Sequence, residues 1–430
     1  MKRICGPRVD PLANPDEARP PISRRDAVFS GAALLAGATT ALRATDARAD
    51  PPLTGPSPYV PIVTPNGATL PWTMRDGVKE FRLVAEPVKR EFAPGMVVNG
   101  WGYNGSVPGP TIEAVEGDRV RLFVTNKLPE RTAVHWHGVL LPNGMDGVAG
   151  LTQPHVEPGE TYVYEFTLRQ HGVLMYHPHS DEMVQVALGM VGFFVIHPRV
   201  PEAARVDRHF AIMLNEWLVP PGAATPNPAA MLDFNLFTFN GRVWPGTEAL
   251  VVRTGQRVRL SFGNVSMDSH PIHVHGHRFW HVGTDGGDIP PSARVPMTTI
   301  NVPPGTTQTM EFVADAPGDW ALHCHKSHHT MNAMSHDLPN MIGVRAPDSE
   351  EKIRKVLPAY MAMGEAGMGN TMDMGQPKNT LPMMAGKGPF GDVEMGGMFT
   401  ILKVRDGITS YADPGWYKHL AGTIARKVPL

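Results

Sequence analysis

Apolar and polar residues alternate along short stretches of this chain, and turn-forming residues separate the stretches. Residues 119–125 and 161–168 alternate in this way, and Pro158-Gly159 lies just before the second stretch. Alternation with a period of two predicts strands that bury one face, and few apolar positions recur at helical spacing. The pattern therefore predicts an all-β fold.

The same series of motifs occurs twice along the chain, in the same order. The paired motifs are Asn104-Gly105-Ser106-Val107-Pro108-Gly109 with Asn240-Gly241-Arg242-Val243-Trp244-Pro245-Gly246, Gly117-Asp118-Arg119-Val120-Arg121-Leu122 with Gly255-Gln256-Arg257-Val258-Arg259-Leu260, His135 and His137 with His273 and His275, Pro158-Gly159 with Pro304-Gly305, and His177 and His179 with His323 and His325. Such an order predicts one fold copied with small changes in its loops. We therefore expect two Greek-key β-sandwich domains.

The domain boundaries follow from the ends of the repeats. The first domain is predicted at residues 65–198 and the second at residues 208–346. Residues 50–64 are Pro-rich and predict an extended arm. Residues 347–430 are a Met- and Gly-rich tail, in which residues 399–404 predict a short strand.

Composition narrows the class of protein. The 430 residues are 42% hydrophobic and 19% charged with a formal net charge of −2, which fits a soluble protein of two or more modest domains and indicates no nucleic-acid partner. Its 44 glycines and 43 prolines favour turn-rich β structure. The two cysteines, Cys5 and Cys324, provide no disulfide framework.

Residues 1–49 have the features of an export signal. Arg24-Arg25 precede an apolar run that extends through Leu42, and Ala47-Arg48-Ala49 follows it. This arrangement resembles a twin-arginine signal with an Ala-x-Ala cleavage site, which implies a periplasmic or otherwise exported protein. The apolar run is shorter than the ~20 residues of a membrane span, so no span is expected.

Cys324 is the only cysteine that remains once residues 1–49 are set aside. It lies in His323-Cys324-His325, and His329 and Met334 follow it at five and ten residues. A thiolate, imidazoles and a thioether at this spacing are typical of a blue-copper site. An inert buried thiol beside chance histidines would not explain the other histidine pairs of the chain.

Those pairs have one residue between partners. They occur in His135-Trp136-His137, in His177-Pro178-His179 and in the run His270-Pro271-Ile272-His273-Val274-His275-Gly276-His277. Because alternate side chains of a strand share a face, each pair presents two imidazoles to one metal site. Together with His323 and His325, they predict eight nitrogen ligands.

Alignment of the two copies assigns the thiolate site to the second one. Its ligands are His270, Cys324, His329 and Met334, and the aligned residues of the first copy are Thr132, Pro178, Met183 and Leu188. None of the latter can rebuild a thiolate–copper centre.

These motifs resemble those of the multicopper oxidases, a laccase-like family of cupredoxin domains. The resemblance covers nearly all of residues 65–346 and includes His-Trp-His-Gly followed by Asp146-Gly147, Thr152-Gln153-Pro154 before a Pro-Gly turn, and the histidine-rich motifs around His273 and Cys324. With two cupredoxin-like domains in place of the usual three, the chain is most similar to the two-domain laccases.

The resemblance implies four coppers and assigns each candidate ligand to one of the copper types. One type 1 copper, which takes electrons from the donor, is held by His270, Cys324, His329 and axial Met334. One type 2 copper is held by His135 and His273. Two type 3 coppers are held by His137, His177, His179, His275, His323 and His325. By the same resemblance, the three-copper cluster would reduce dioxygen to water, and Cys324 would link it to the type 1 site through its covalent neighbours His323 and His325.

Reduction of dioxygen to water consumes protons, which a carboxylate near the cluster can relay. The resemblance places such a catalytic acid at Asp146, nine residues after His137. The alternative is that Asp146 is a turn residue. His328 stands where many bacterial relatives carry an acid, and Asp181 and Glu182 are possible substitutes.

The Gly-rich part of the tail contains nine methionines: Met361, Met363, Met368, Met372, Met374, Met383, Met384, Met395 and Met398. Thioethers bind copper(I), so this segment is a candidate for binding or delivering cuprous ion. The alternative is a surface segment whose methionines have no role.

Three functions are compatible with these features. The first is an exported oxidase that couples oxidation of a small donor, cuprous ion or a phenol, to reduction of dioxygen, with copper tolerance as its role. The second is a copper-type nitrite reductase, although that family carries its type 1 cysteine in the first domain and lacks the paired type 3 histidines. The third is a protein that stores or ferries copper. Similarity to two-domain laccases also implies a homotrimer.

Overall fold

The computed structural model describes residues 59–200, 202, 205–220, 222–332, 351–352, 355–356, 378–384 and 386–428. Residues 1–49, which carry the predicted export signal, lie outside this set. Strands dominate the described part, and the predicted all-β fold is confirmed. Among these residues, no helix has the length and apolar character that a membrane crossing requires.

The strands up to residue 197 are β1 (Ile62–Val63), β2 (Trp72–Arg75), β3 (Val78–Ala93), β4 (Met96–Tyr103), β5 (Ile112–Val115), β6 (Arg119–Asn126), β7 (Val134–His135), β8 (Thr161–Thr167), β9 (Gly172–Pro178) and β10 (Gly192–His197). The later strands are β11 (Arg208–Trp217), β12 (Leu236–Phe239), β13 (Leu250–Arg253), β14 (Arg257–Asn264), β15 (His270–Val274), β16 (Phe279–Thr284), β17 (Gly287–Asp288), β18 (Pro296–Met297), β19 (Thr299–Val302), β20 (Thr306–Val313), β21 (Gly318–Cys324), β22 (Lys387–Gly388), β23 (Gly391–Asp392) and β24 (Phe399–Arg405). The helical elements are α1 (Glu182–Ala187) and short 3-10 turns at Asn143–Met145, Pro291–Ala293 and Ser327–Thr330.

The first sandwich packs two sheets against each other. One sheet has the order β2-β3-β6-β8 with β4 on β3, and the other has the order β5-β10-β9-β7. Val120, Leu122 and Val124 of β6 point into the core and their neighbours do not, as the alternation predicts. Trp136, between the first two histidines, is fully buried in this core. Its burial leaves His135 and His137 on the opposite side of the backbone.

The second sandwich has larger sheets. One has the order β1-β11-β14-β20-β16-β17, with β12 on β11 and β18 on β16, and the other has the order β13-β24-β21-β15-β19. The strand predicted at residues 399–404 is present as β24, and it lies between β13 and β21. The tail therefore contributes an interior strand to the sheet that carries Cys324.

The two sandwiches share an apolar cluster. Met175 and Phe193 of the first pack with Ala211 and Met213 of the second, all of them buried. A hydrogen bond from the Thr307 hydroxyl to the Val173 carbonyl, 2.8 Å long, also crosses the junction. These contacts fix the orientation of the strands that carry the histidines.

Candidate metal centres

Three ligand atoms converge in the second sandwich. Cys324 ends β21, His270 begins β15 and His329 lies in the 3-10 turn Ser327–Thr330, so three separate segments supply them. The Cys324 Sγ is 3.9 Å from His270 Nδ1 and 3.6 Å from His329 Nδ1, and the two Nδ1 atoms are 3.1 Å apart. We call these three residues the type 1 trio. A triangle of this size around one thiolate and two imidazoles fits a copper ion.

Burial determines the protonation of the type 1 trio, whose three residues are all 0% exposed. Loss of solvent lowers the pKa of His270 to about 3 and that of His329 to about 2, so both imidazoles are neutral and their lone pairs are available at neutral pH. The same burial raises the pKa of the Cys324 thiol to about 12. A bound cation is what would make the thiolate stable in this apolar site. Met334, the predicted axial ligand, lies outside the described residues.

Two carboxylates that the sequence reasoning missed lie beside the type 1 trio. Glu216 Oε1 is 3.4 Å from His270 Nε2, and Asp268 Oδ2 is 3.7 Å from His329 Nε2. The backbone N–H groups of Met267 and Asp268 donate to Glu216 Oε2 at 3.1 and 3.2 Å. Glu216 is buried, which raises its pKa to about 7, whereas Asp268 is half exposed and pairs with Lys326 at 2.7 Å. Glu216 is 54 residues from His270 in the chain, so no local motif reveals it.

The first sandwich gathers the first quartet of histidines, which we define as His135, His137, His177 and His179. His135 pairs directly across the sheet with His177, and the neighbouring rings lie with centroids 5.3 to 6.4 Å apart. The Nδ1 of His137 is 3.1 Å from the Nε2 of His177. The ring nitrogens of His135, His137 and His177 could hold one metal ion together.

The second sandwich repeats this arrangement in the second quartet, which we define as His273, His275, His323 and His325. His273 pairs across the sheet with His323, in the same relation as His135 to His177. The ring centroids are 4.7 to 5.7 Å apart, and the Nε2 atoms of His275 and His323 are 3.1 Å apart. The equivalent register places Pro178 where Cys324 stands in the second sandwich.

Backbone carbonyls orient these imidazoles. The Nδ1 of His135 donates to the Asp146 carbonyl at 2.8 Å, and the Nδ1 of His273 donates to the Thr298 carbonyl at 2.6 Å. The Nδ1 of His177 and that of His323 donate to the carbonyls of the residues that follow them, at 3.0 and 2.8 Å. Each such bond selects the tautomer with an unprotonated Nε2, which is the atom that a metal then binds.

The two quartets make no ring contact with each other in the described part of this chain. None of the ring contacts between described residues joins a histidine of the first quartet to one of the second. His137 lies against Gly305 of the second sandwich, whereas His275 and His325 are exposed. Each sandwich therefore offers four imidazoles at a partly open surface.

The candidate proton-relay acids differ in position. The Asp146 carboxylate is 3.5 Å from His135 Nδ1, next to the carbonyl that accepts its hydrogen bond. Glu182 Oε1 is 3.4 Å from His177 Nδ1 and its Oε2 is 3.7 Å from His179 Nε2. Asp181 precedes α1 and makes no side-chain capping bond there.

The methionines of the tail do not share one environment. Met384 and Met398 are buried, and Met395 packs against a small cluster that contains Trp244 and Phe399. The others before residue 378 lie outside the described residues: Met361, Met363, Met368, Met372 and Met374.

Comparison with known proteins shows similarity to multicopper oxidases. Two family models, each described as multicopper oxidase, match residues 85–201 and 220–343, together more than half of the chain. Copper resistance protein A of Escherichia coli is 45% identical over 114 residues, which are 26% of this chain and 18% of that protein. The match therefore spans about a fifth of that relative's length.

Solved structures extend the similarity to most of the fold. The blue copper oxidase of Nitrosomonas europaea superimposes with a TM-score of 0.57 at 24% identity, over 76% of this chain and 85% of that chain. The multicopper oxidase mgLAC gives a TM-score of 0.57 at 25% identity, over 79% of this chain and 91% of that chain.

Proposed function

Because the chain belongs to the multicopper oxidase family, we propose that it oxidises a small donor one electron at a time and transfers the electrons to dioxygen. The proposed activity is supported by the arrangement of the chain's own residues. When bound, copper supplies the one-electron chemistry at the type 1 trio and the reduction of dioxygen to water at the paired quartets. We propose one type 1, one type 2 and two type 3 coppers per functional unit, with the ligands that the resemblance implies.

One observation carries the proposal. Cys324 belongs to the type 1 trio, while His323 and His325, its covalent neighbours, belong to the second quartet. Successive residues of a strand point to opposite faces, so adjacent residues of β21 reach two different sites. Electrons that enter at the Cys324 thiolate need only a few backbone bonds to reach the oxygen-reducing site.

The alternative functions have less support. A nitrite reductase would need no paired quartets, yet eight histidines form two of them here. A copper-ferrying protein would need no buried thiolate site covalently joined to a histidine cluster.

The proposal is tested by oxygen uptake: the copper-loaded protein should consume one dioxygen for every four cuprous ions or one-electron dye donors oxidised, without accumulating hydrogen peroxide. Absence of uptake with every donor would contradict the proposed oxidase function.

For the donor, we propose cuprous ion in preference to bulky phenols. His329 is fully buried, and the ring of Phe237 stacks on it with centroids 3.9 Å apart. The nearest carboxylate to its Nε2 is that of Asp268, which is half exposed and therefore accessible to a cation. Glu216, Asp268 and His329 place ligand atoms within 4.8 Å of one another, which suits a small cation and not an aromatic ring. Such a donor agrees with a role in copper tolerance and with export to the periplasm.

We expect Asp268→Asn to weaken oxidation of cuprous ion selectively. Asp268→Asn removes one carboxylate charge from the proposed cation site. A partly exposed charge contact at about 4 Å is worth on the order of 1 to 4 kcal/mol, so the KM for cuprous ion should rise about tenfold. Steady-state rates for cuprous ion and for a phenol, measured side by side, check this. Asp315→Asn is the control, because Asp315 is also exposed but precedes the far end of β21. An equal loss with both donors would contradict a cation site at Asp268.

A further inference from the structure

The returning tail forms a strap against the type 1 trio. We define the strap as residues 378–398, which are described except for residue 385. At its start, Asn379 exchanges hydrogen bonds with the backbone of Val97 in β4, at 2.7 and 3.0 Å. Leu381 is buried in a cluster with Phe92 and Val98 of the first sandwich. The strap is therefore held on the body of the protein before it reaches the metal ligands.

Asn332 joins the strap to the turn that carries His329. Its backbone N–H donates to the Met383 carbonyl at 2.7 Å, and its side chain donates to the Pro382 carbonyl at 3.2 Å. Its Oδ1 accepts from the Gly397 N–H at 2.9 Å. The side chain is 0% exposed, so water cannot replace these bonds.

The end of the strap bonds directly to the ligand backbone. The Met398 N–H donates to the His329 carbonyl at 2.9 Å, and the Cys324 N–H donates to the Met398 carbonyl at 3.1 Å. One strap residue thus connects two members of the type 1 trio. The His329 turn is a single 3-10 turn, whose hydrogen-bond geometry is poorer than that of an α-helix, so the bonds from the strap add to its support.

A glycine makes this approach possible. Gly397 has φ +51, and a Cβ on it would lie 2.1 Å from the His329 carbonyl oxygen. Any side chain there must push the strap and the His329 turn apart. Gly407 has a similar backbone, with φ +60, but a Cβ on it would meet nothing within 4 Å.

We propose that the strap is a positioning element for the type 1 trio, with Asn332, Gly397 and Met398 fixing His329 relative to Cys324. This inference rests on the proposed copper site at the type 1 trio. The strap residues touch neither donor nor dioxygen, and they act through the geometry of the ligands. Substitution of these residues should change the absorption spectrum of the copper-loaded site without changing the fold.

The first test compares Gly397→Ala with Gly407→Ala in the copper-loaded protein. We expect Gly397→Ala to shift and weaken the thiolate-to-copper absorption band, with far-UV circular dichroism unchanged. Gly407→Ala bears the same backbone strain without the collision and should keep the wild-type band. The proposal is wrong if the Gly397→Ala band equals that of the wild type, or if both variants change it equally.

The second test needs no metal and still decides the matter if Gly397→Ala does not fold. In copper-free protein carrying Cys5→Ser, we measure the rate at which a thiol reagent modifies Cys324. Asn332→Ser should raise this rate about tenfold, the effect of losing about 1.4 kcal/mol of local stability. Asn126→Ser is the control, because Asn126 is an equally buried asparagine with three hydrogen bonds in the first sandwich.

The two hypotheses fail in different ways. A wild-type protein that binds copper without an intense visible band would refute the proposed type 1 site, while the thiol rates would still report on the strap. Equal thiol rates in Asn332→Ser and Asn126→Ser would refute the strap alone.

Discussion

Cys324→Ser should give a folded, colourless protein that oxidises no donor above background. The Cys324 thiolate is the source of the intense visible absorption of such a site, and it is the free cysteine found among the described residues. Serine has nearly the same volume, so the buried position should tolerate it with a small loss of stability. Its alcohol does not ionise at neutral pH and is a poor ligand for copper(I). Absorption, copper content and oxygen uptake, measured on one preparation, check the three parts of this expectation.

Cys5→Ser is the matched control for this substitution. It removes the other cysteine of the chain, from residues 1–49, and should leave colour and oxygen uptake unchanged. Intense blue absorption in Cys324→Ser would show that the thiolate site is elsewhere. A colourless variant that still oxidised donors at the wild-type rate would show that electrons bypass Cys324.

The parts of the site that the sequence predicts are those determined by local spacing. Alternation on a strand predicts that both imidazoles of a His-x-His pair lie on one face. The two rings of each pair are 4.7 to 6.4 Å apart, although the second histidine of each pair lies just past the end of its strand. Pairing of His135 with His177 and of His273 with His323 then follows from antiparallel registers that the two copies share. Alternation likewise predicts β6 and β8 to within a residue at their ends.

Features built from distant segments were not predictable. Glu216 lies near His270 because β11 pairs with β14, and the segment that follows β14 bonds to Glu216 through Met267 and Asp268 just before His270. In the sequence the strap is a Met- and Gly-rich segment without an evident role. The need for glycine at position 397 follows from its close approach to the His329 carbonyl, which the sequence does not reveal. Of the extended arm predicted at residues 50–64, residues 50–58 lie outside the described residues, and Ile62–Val63 pair in parallel with β11. Each case depends on a partner that is far away in the chain.

The separation of the two quartets bears on assembly. Each sandwich supplies four imidazoles, and none of the ring contacts between described residues joins the first quartet to the second. We propose that a first quartet of one subunit faces a second quartet of the next, in a closed homotrimer with three such interfaces. A heterologous contact of this kind closes as a ring when the rotation between subunits is a third of a turn. The exposed His275 and His325 would then be covered by the neighbouring subunit.

Co-expression of two inactive variants tests this arrangement. His137→Ala disables every first quartet, and His275→Ala disables every second quartet without altering a neighbour of Cys324. In a ring of three that contains both variants, one interface joins two intact quartets. Random mixing of equal amounts makes three quarters of the rings mixed, so the co-purified protein should recover about a quarter of the wild-type oxygen uptake. Each variant alone should remain inactive although it keeps the type 1 absorption.

The control pair is His137→Ala with His177→Ala, which both disable the first quartet. In such rings no interface has two intact quartets, so no activity should return at any mixing ratio. If His137→Ala with His275→Ala also stays inactive in oligomers shown by affinity tags to contain both chains, the quartets must pair within one subunit. Recovery in the first pair together with none in the control pair requires a cluster built from two chains, because no rearrangement inside a single mutated chain can restore its missing imidazole.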